Sequence, residues 1–475
     1  SYIKNIWGEL YKVSEKCLDG LKNSNGIVSA FNANIDAVIS IDGKFIERWI
    51  SKLKIDKENL FSRRNKSIES EEDVIRGVAH CFKEGMAEEW IVKNKNVYNW
   101  LGETVGYDNL QVGGQAGIIA NTAAICGIDP VYVHCSSLPK MQAELFLDLH
   151  NLYSFDENGN RAKAHSINRI DNTPLIHWIL EFTRGDSFEA FGENFICPKS
   201  NRFIATYDPL NFELQIDSTF NQGILNDDTS LDFIILSGYQ ILSKDLPNGV
   251  SGLRKIDESI EVLKKWKEKN PKACLHLELA STQDIDIRKY TVENVCPISE
   301  SLGCNERELI DILDITGAEE LALKCNKETN SANLFQGLVK VFHHTMCERI
   351  QLHMFGLYIT ITKKNARISP EDNRKGMILA ATIAAAKAGT GTIYNKENLT
   401  WAFGKEISDV GINELTMLSQ YIAENYKANQ LIKTGIFEGE DFDVIAVPTI
   451  IIDKPITLVG MGDTISSLSL LGAKV

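Results

Sequence analysis

At 475 residues the chain is longer than one hydrophobic core usually fills, and about two to three domains are expected. A hydrophobic share of 44% with 24% charged residues is ordinary globular composition, sufficient for a large core without disulfides. The formal net charge of −14 argues against a broad electrostatic hold on nucleic acid, while leaving room for a small anion held by backbone amides or a few arginines.

The opening "SYIKNIWGEL" lacks the basic and then apolar pattern of a signal peptide. The first buried-strand run is "GIVSAFNANIDAVISI", in which Asn32, Asn34 and Asp36 recur at period two. All three are therefore expected on one strand face. Polar residues so placed on an apolar strand call for a ligand, and sugar hydroxyls suit them. From about Gly43 to Leu110 the chain turns charge-rich and loses its buried-strand signals. "VGGQAGIIAN" then offers Gly113, Gly114 and Gln115 as a close-approach turn before a helix, with strand–helix packing as the plainer alternative.

"PVYVHC" is the next strand, followed from about His165 to Ile235 by aromatic and β-branched runs, "PLIHWILEFTRG" and "NRFIATYD". Two such excursions from an alternating strand–helix chain are expected to pair into one small lid. The division is 1–36, 111–164 and 236–475 for a large α/β domain, against 37–110 and 165–235 for the lid. "LDFIILSG" is a strand and "GLRKIDESIEVLKKWKEKN" an amphipathic helix. In "ACLHLELA", His276 and Glu278 share a strand face, as a buried pair or with Glu278 holding Mg²⁺ through water. "GCNERELIDIL" opens a helix with Asn305 and Glu308 in a capping-box pattern, compatible with a role near metal and phosphates.

"FHHTMCERIQLH" gathers His343, His344, Cys347 and His353, but their spacing matches no zinc site. "LYITIT" and "DVIAVPTIII" are strands, and "RKGMILAATIAAAKAG" is a helix too short for a membrane span. Arg202 and Arg374 are candidate phosphate contacts. The ten cysteines form no CxxC pair and are expected reduced in the core of a cytoplasmic protein. Their number, with many asparagines, points to a mesophilic source.

The chain closes on "ITLVG" running into Gly460-Met461-Gly462-Asp463 and a helix. Glycines at a helix start aim free amides at an anion, and the helix dipole adds partial positive charge. The turn lacks the third glycine of a dinucleotide fingerprint and the lysine of a Walker loop. A helix-capping aspartate is the plain alternative. A carboxylate beside an anion hole repels phosphate, however, and finds a use there as general base for an attacking hydroxyl.

The ordered set "NANID", "GGQAGIIAN", "LIHWILEF", "NRFIA", "ILSGYQIL", "HLELA", "GCNERE" and "VGMGDT" resembles the ADP-dependent sugar kinases of the ribokinase-like superfamily. The resemblance runs from near Phe31 to near Leu471. It implies a three-layer α/β/α domain with a smaller α/β lid, and transfer of the β-phosphoryl of ADP to a sugar with Mg²⁺. It implies Asp463 as base, with Gly460, Met461 and Gly462 as anion hole. Glu278, Glu308 and Asp463 would organise the metal, and Asn305, Val447 and Gly462 would meet the nucleotide. Asn32, Asn34, Asp36, Glu89, Gly114, Gln115 and His177 would meet the sugar, and Arg202 a phosphate of either the donor or the sugar. A glutamate associated with glucose acceptance is matched by Glu88 or, better, Glu89, while Lys199 stands where phosphofructokinases tend to carry arginine. Activity on both glucose and fructose 6-phosphate is expected, with the latter slightly favoured, in a monomer or small homo-oligomer. The residues alone do not separate ADP from ATP, and two alternatives stand: an ATP-dependent sugar or nucleoside kinase, and a non-catalytic sugar or nucleotide binder.

Overall fold

The computed structural model describes residues 1–62, 66–456 and 460–474. Eleven strands form the larger sheet. From one edge they are Ile436–Glu438, Phe442–Pro448, Leu357–Lys363, Arg349–Met354, Ser301–Cys304, Cys274–Glu278, Leu231–Leu236, Gly26–Ala30, Val131–Val133, Leu152–Phe155 and Arg161–Lys163. Neighbours run parallel from Arg349–Met354 through Leu152–Phe155, and antiparallel at both edges. Helices cover both faces, as a parallel sheet requires. Pro370–Thr390 and Met461–Ala473 pack against each other on one face, and Ser331–Thr345 and Asp409–Asn425 on the other.

Five strands of this sheet lie outside the runs expected from sequence: Leu152–Phe155, Arg161–Lys163, Ser301–Cys304, Arg349–Met354 and Ile436–Glu438. Ser301–Cys304 is only four residues long. Arg349–Met354 hides its nature because every second residue is polar. Arg349 Nε donates to Asn373 Oδ1 at 2.8 Å and Gln351 Nε2 to Ser469 Oγ at 2.9 Å, so the polar face is buried against the two helices. The strand expected at 456–460 falls mainly on residues 457–459, outside the described residues.

The run "GIVSAFNANIDAVISI" is not one strand. Gly26–Ala30 lies in the larger sheet and Asn34–Ser40 in the smaller, so the chain changes sheets between them. The expectation that Asn32 shares a strand face with Asn34 and Asp36 is therefore corrected. Asn32 sits in the crossover, where its backbone carbonyl accepts from Ala116 N at 3.0 Å and its Oδ1 from Ser237 Oγ at 3.0 Å.

The second sheet has six strands, in the order Ser67–Ile68, Glu88–Val92, Asn201–Tyr207, Ile176–Phe182, Asn34–Ser40 and Asn109–Gly113. Alternation sorts its faces. Ile35, Ala37, Trp178, Leu180, Phe203 and Ala205 enter a separate apolar core, together with Val74, Val78 and Phe82 of the helix Glu71–Glu84. The opposite face carries Asn34, Asp36, His177, Glu89, Arg202 and Thr206. Within 165–235, Ile167, Phe220 and Ile224 pack into the larger core. All ten cysteines are buried and free, and no helix among the described residues is long and apolar enough to cross a membrane.

Candidate active site

The parallel strands deliver their carboxyl ends to one edge, where ligands bind in open α/β sheets. Gly460 adopts φ +68° there, a left-handed conformation suited to glycine, and the helix Met461–Ala473 begins at the next residue. Asp463 is therefore the third helical residue and not the cap. Its carboxylate is buried, and Oδ1 accepts a 2.8 Å hydrogen bond from Gln115 Nε2. Gln115 opens the helix Gln115–Ile125 directly after Gly114, whose φ is +78°. A chain of amides fixes its orientation. Gly238 N donates to Gln240 Oε1 at 3.1 Å, and Gln240 Nε2 donates to Gln115 Oε1 at 2.8 Å, leaving the Gln115 amide nitrogen to face Asp463. Burial, then the charge of Glu278, pushes the Asp463 carboxyl up to about 6 against the opposing Gln115 bond, Lys387 and His353.

Glu278 ends the strand Cys274–Glu278 between two histidines. Oε2 meets His276 Nε2 at 3.0 Å and Oε1 meets His353 Nε2 at 3.0 Å. Burial alone would raise its carboxyl, but the two histidines outweigh it and hold the pKa down at about 2. The histidines diverge: burial wins at His276, which is lowered, and Glu278 wins at His353, which is raised. A Cβ at Gly303, on the adjacent strand, would collide with the Glu278 carboxylate, so glycine leaves the space.

Asn305 and Glu308 form a complete capping box. Asn305 Oδ1 accepts from Glu308 N at 2.9 Å, and Glu308 Oε2 accepts from Asn305 N at 2.7 Å. Burial, reinforced by the charges of Glu278 and Asp463, lifts the Glu308 carboxyl to about 8 despite His353 and the Asn305 amide.

The three residues expected to organise metal thus share one electrostatic field. They do not form a direct chelate: among the described residues no three His, Cys, Asp or Glu side chains converge on an ion position. Both Glu278 oxygens are already engaged by histidine. The set nonetheless fits a hydrated divalent ion of the Mg²⁺ type. Glu308 and Asp463 offer hard carboxylate oxygens that form no ion pair within 4.0 Å among the described residues, and the buried Ser466 hydroxyl beside Gly303 has no hydrogen-bond partner among them.

The polar face of the smaller sheet supplies the rest. Asn34 Nδ2 donates to Asp36 Oδ1 at 2.8 Å, and a Cβ at Gly113 would strike both side chains. Burial raises the Asp36 carboxyl against the His177 charge and the Asn34 bond. His177 Nε2 pairs with Asp208 Oδ2 at 2.8 Å and its Nδ1 stands 4.0 Å from Glu89. Burial pulls the imidazole down, but the Asp208 bond and the charges of Asp208, Asp36 and Glu89 carry it up to about 9. Glu89 Oε1 also accepts from Thr206 Oγ1 at 2.7 Å. Arg202 is exposed on the same face, and its charge acts on Asp36.

Other expected residues fall elsewhere. Val447 is fully buried opposite Tyr358, and its side chain belongs to the core. Arg374 is corrected as a phosphate contact: its Nη1 donates to Thr434 O at 2.6 Å in the first part of the helix Pro370–Thr390, whose far end approaches the site. Gly462 lies close under His353, where a Cβ would come within 2.9 Å of its Cε1. Gln240, Asp208 and Lys387 are candidate site residues that sequence reasoning missed, and His353 enters that reasoning only as a zinc ligand. His353 was open to detection, since Arg349, Gln351 and His353 follow period two.

Fold and site together define an α/β kinase carrying a second, smaller sheet. The family model described as ADP-specific Phosphofructokinase/Glucokinase conserved region matches residues 25–472. The chain belongs to the ADP-specific phosphofructokinase/glucokinase family. It is similar to an ADP-dependent glucose/glucosamine kinase of Pyrococcus furiosus, 32% identical over 474 residues and covering 98% of each chain. It is 27% identical to an ADP-specific phosphofructokinase of Methanosarcina acetivorans, with 94% of this chain and 93% of that one covered. The solved structure of the last common ancestor of ADP-dependent phosphofructokinases from Methanosarcinales has a TM-score of 0.87 at 30% identity, over 98% of each chain. An ADP-dependent kinase in complex with fructose-6-phosphate and ADPβS has a TM-score of 0.80 at 29% identity, over 98% of this chain and 97% of that one.

Proposed function

We propose that this protein transfers the β-phosphoryl group of ADP to a hydroxyl of fructose 6-phosphate or glucose, releasing AMP. The observation that carries this is the Gln115–Asp463 bond. It sets a buried carboxylate between a helix start suited to phosphate and a polar sheet suited to sugar.

In this reading the sugar lies on Asn34, Asp36, Glu89 and His177, whose carboxylates and amides pair with hydroxyl groups. Arg202, on the same face, takes the phosphate of a phosphorylated sugar. Asp463 accepts the proton of the attacking hydroxyl as its oxygen bonds to the β-phosphorus, and the bond from that phosphorus to the AMP oxygen breaks. The free amides at Met461 and Gly462 meet the charge on the transferring group. Glu308, with Glu278 and Asp463 behind it, would hold Mg²⁺ through water, and the ion when bound neutralises donor phosphate charge. The smaller sheet acts as a lid that keeps water from the donor.

Both sugars are assigned because Glu89 stands beside His177 while Arg202 remains open on the same face. The test is a coupled assay crossing ADP or ATP against glucose or fructose 6-phosphate. Turnover is expected with ADP and either sugar. Turnover with ATP alone, or with neither donor, overturns the proposal.

A further inference from the structure

Lys387 lies in the last turn of the helix Pro370–Thr390, among buried alanines 384, 385, 386 and 388. A lysine so placed ordinarily serves the carbonyls ending its own helix. The backbone carbonyl of Lys387 accepts from Gly391 N at 2.8 Å, but the ammonium makes no hydrogen bond or ion pair among the described residues. Instead its ammonium reaches the neighbouring helix start, and a Cβ at Gly460 would lie 2.9 Å from Nζ. Burial lowers its pKa, and Asp463 is the carboxylate whose charge opposes that.

This is an unfavourable place for a cation in the empty protein. The ammonium is desolvated, and it faces the positive end of the dipole of Met461–Ala473. Both costs turn into attraction when an anion occupies the glycine turn. Asp463 does not take that role, because its Oδ1 is held by Gln115 and no ion pair with Lys387 forms. The arrangement is that of a cation waiting for a ligand's charge.

We infer that Lys387 binds a non-bridging oxygen of the β-phosphoryl group of the nucleoside diphosphate at the glycine turn. The inference rests on the phosphoryl-transfer reading for its ligand. Lys387 would hold the terminal phosphate in the ground state and follow its charge through transfer. A nucleoside monophosphate, lacking that group, would not reach it.

The test is calorimetric titration of the full chain with ADP and separately with AMP, with Mg²⁺ present and no sugar, on the wild type, Lys387→Met and Lys387→Arg. Loss of a charge-assisted contact is expected to weaken ADP binding by about tenfold to a hundredfold. AMP binding is expected to stay within about twofold, and kcat to fall at least as far as ADP affinity. Lys387→Arg keeps the charge and is expected to recover most of the ADP affinity. Unchanged ADP binding in Lys387→Met, or equal losses for ADP and AMP in both variants, overturns the inference and leaves Lys387 a packing residue. The two readings separate cleanly. A wild type that transfers phosphate to neither sugar yet loses ADP selectively in Lys387→Met defeats the reaction and supports the contact. A wild type that turns over, with Lys387→Met binding ADP normally, defeats the contact alone.

Discussion

Gln115 and Asp463 stand 348 residues apart in sequence and are joined by a 2.8 Å hydrogen bond. The bond ties the glycine turn that feeds one helix to the glycine turn that feeds the last one. It also selects the carboxylate's geometry, since the Gln115 amide is itself oriented by Gln240. A carboxylate that merely capped its helix would bond backbone amides of the first turn, and among the described residues the Asp463 carboxylate bonds only Gln115.

Asp463→Asn keeps an oxygen for Gln115 and nearly the same volume, but cannot accept a proton. kcat is expected to fall by about a hundredfold or more, the scale for loss of a general base, with sugar and nucleotide affinities preserved. Steady-state kinetics alongside direct binding checks this. A variant of near-normal kcat removes Asp463 from the chemistry and favours a binding protein.

The pKa of about 6 at Asp463 sets the acid limb of the rate. The base works ionised, so kcat is expected to fall as pH drops below about 6. The Gln115 bond stabilises the ionised form and lowers this value. Gln115→Ala should therefore move the acid limb to higher pH. A pH–rate profile of the two proteins decides, and a limb that stays in place or moves down contradicts the assignment.

What the sequence disclosed about this site follows from how local each feature is. Gly460 to Asp463, and Asn305 with Glu308, are motifs whose geometry closes within one helical turn, so their spacing carries the information. Asp36 was legible from strand alternation, and Asn32 was misplaced by the same rule, because nothing local marks the change of sheet after Ala30. Gln240, Asp208 and Lys387 act only across tertiary contacts, and each reads as an ordinary surface or core residue in the chain. The strand Arg349–Met354 escaped because its polar residues are paid for by partners on distant helices.

Glu308 gives a prediction about stability. Its carboxyl has an ordinary value of 4.5 and sits at about 8 in the folded protein. Between those values the folded state binds a proton that the unfolded state has lost, so stability falls as pH rises through that window. In chelator, the wild-type melting temperature is expected to drop between pH 5 and pH 8.5, more than that of Glu308→Gln, which keeps the capping acceptor without the charge. Equal pH slopes for the two proteins refute the prediction.

The last prediction concerns Asp208, which reaches the sugar site only through His177. Asp208 is buried at the end of the Asn201–Tyr207 strand, where Oδ2 pairs with His177 Nε2 at 2.8 Å and also accepts from Asn211 Nδ2 at 3.0 Å. The same Asn211 nitrogen donates to Ala33 O at 3.0 Å, so the group spans two of the linkers between the sheets. In the wild type, burial acts to lower the His177 pKa, and Asp208 supplies the largest opposing effect, leaving the imidazolium charged up to about pH 9. Asp208→Asn keeps a hydrogen-bonding group but removes that charge, so burial prevails and His177 loses its proton at lower pH. KM for the sugar is expected to rise about tenfold at neutral pH, as for the loss of one charge-assisted hydrogen bond, with kcat much less affected. The rise should shrink as pH falls and the imidazole recharges, a pattern that simple loosening of the linker would not produce. KM profiles from pH 5.5 to 9 check it, and a pH-independent loss would assign Asp208 to the fold alone.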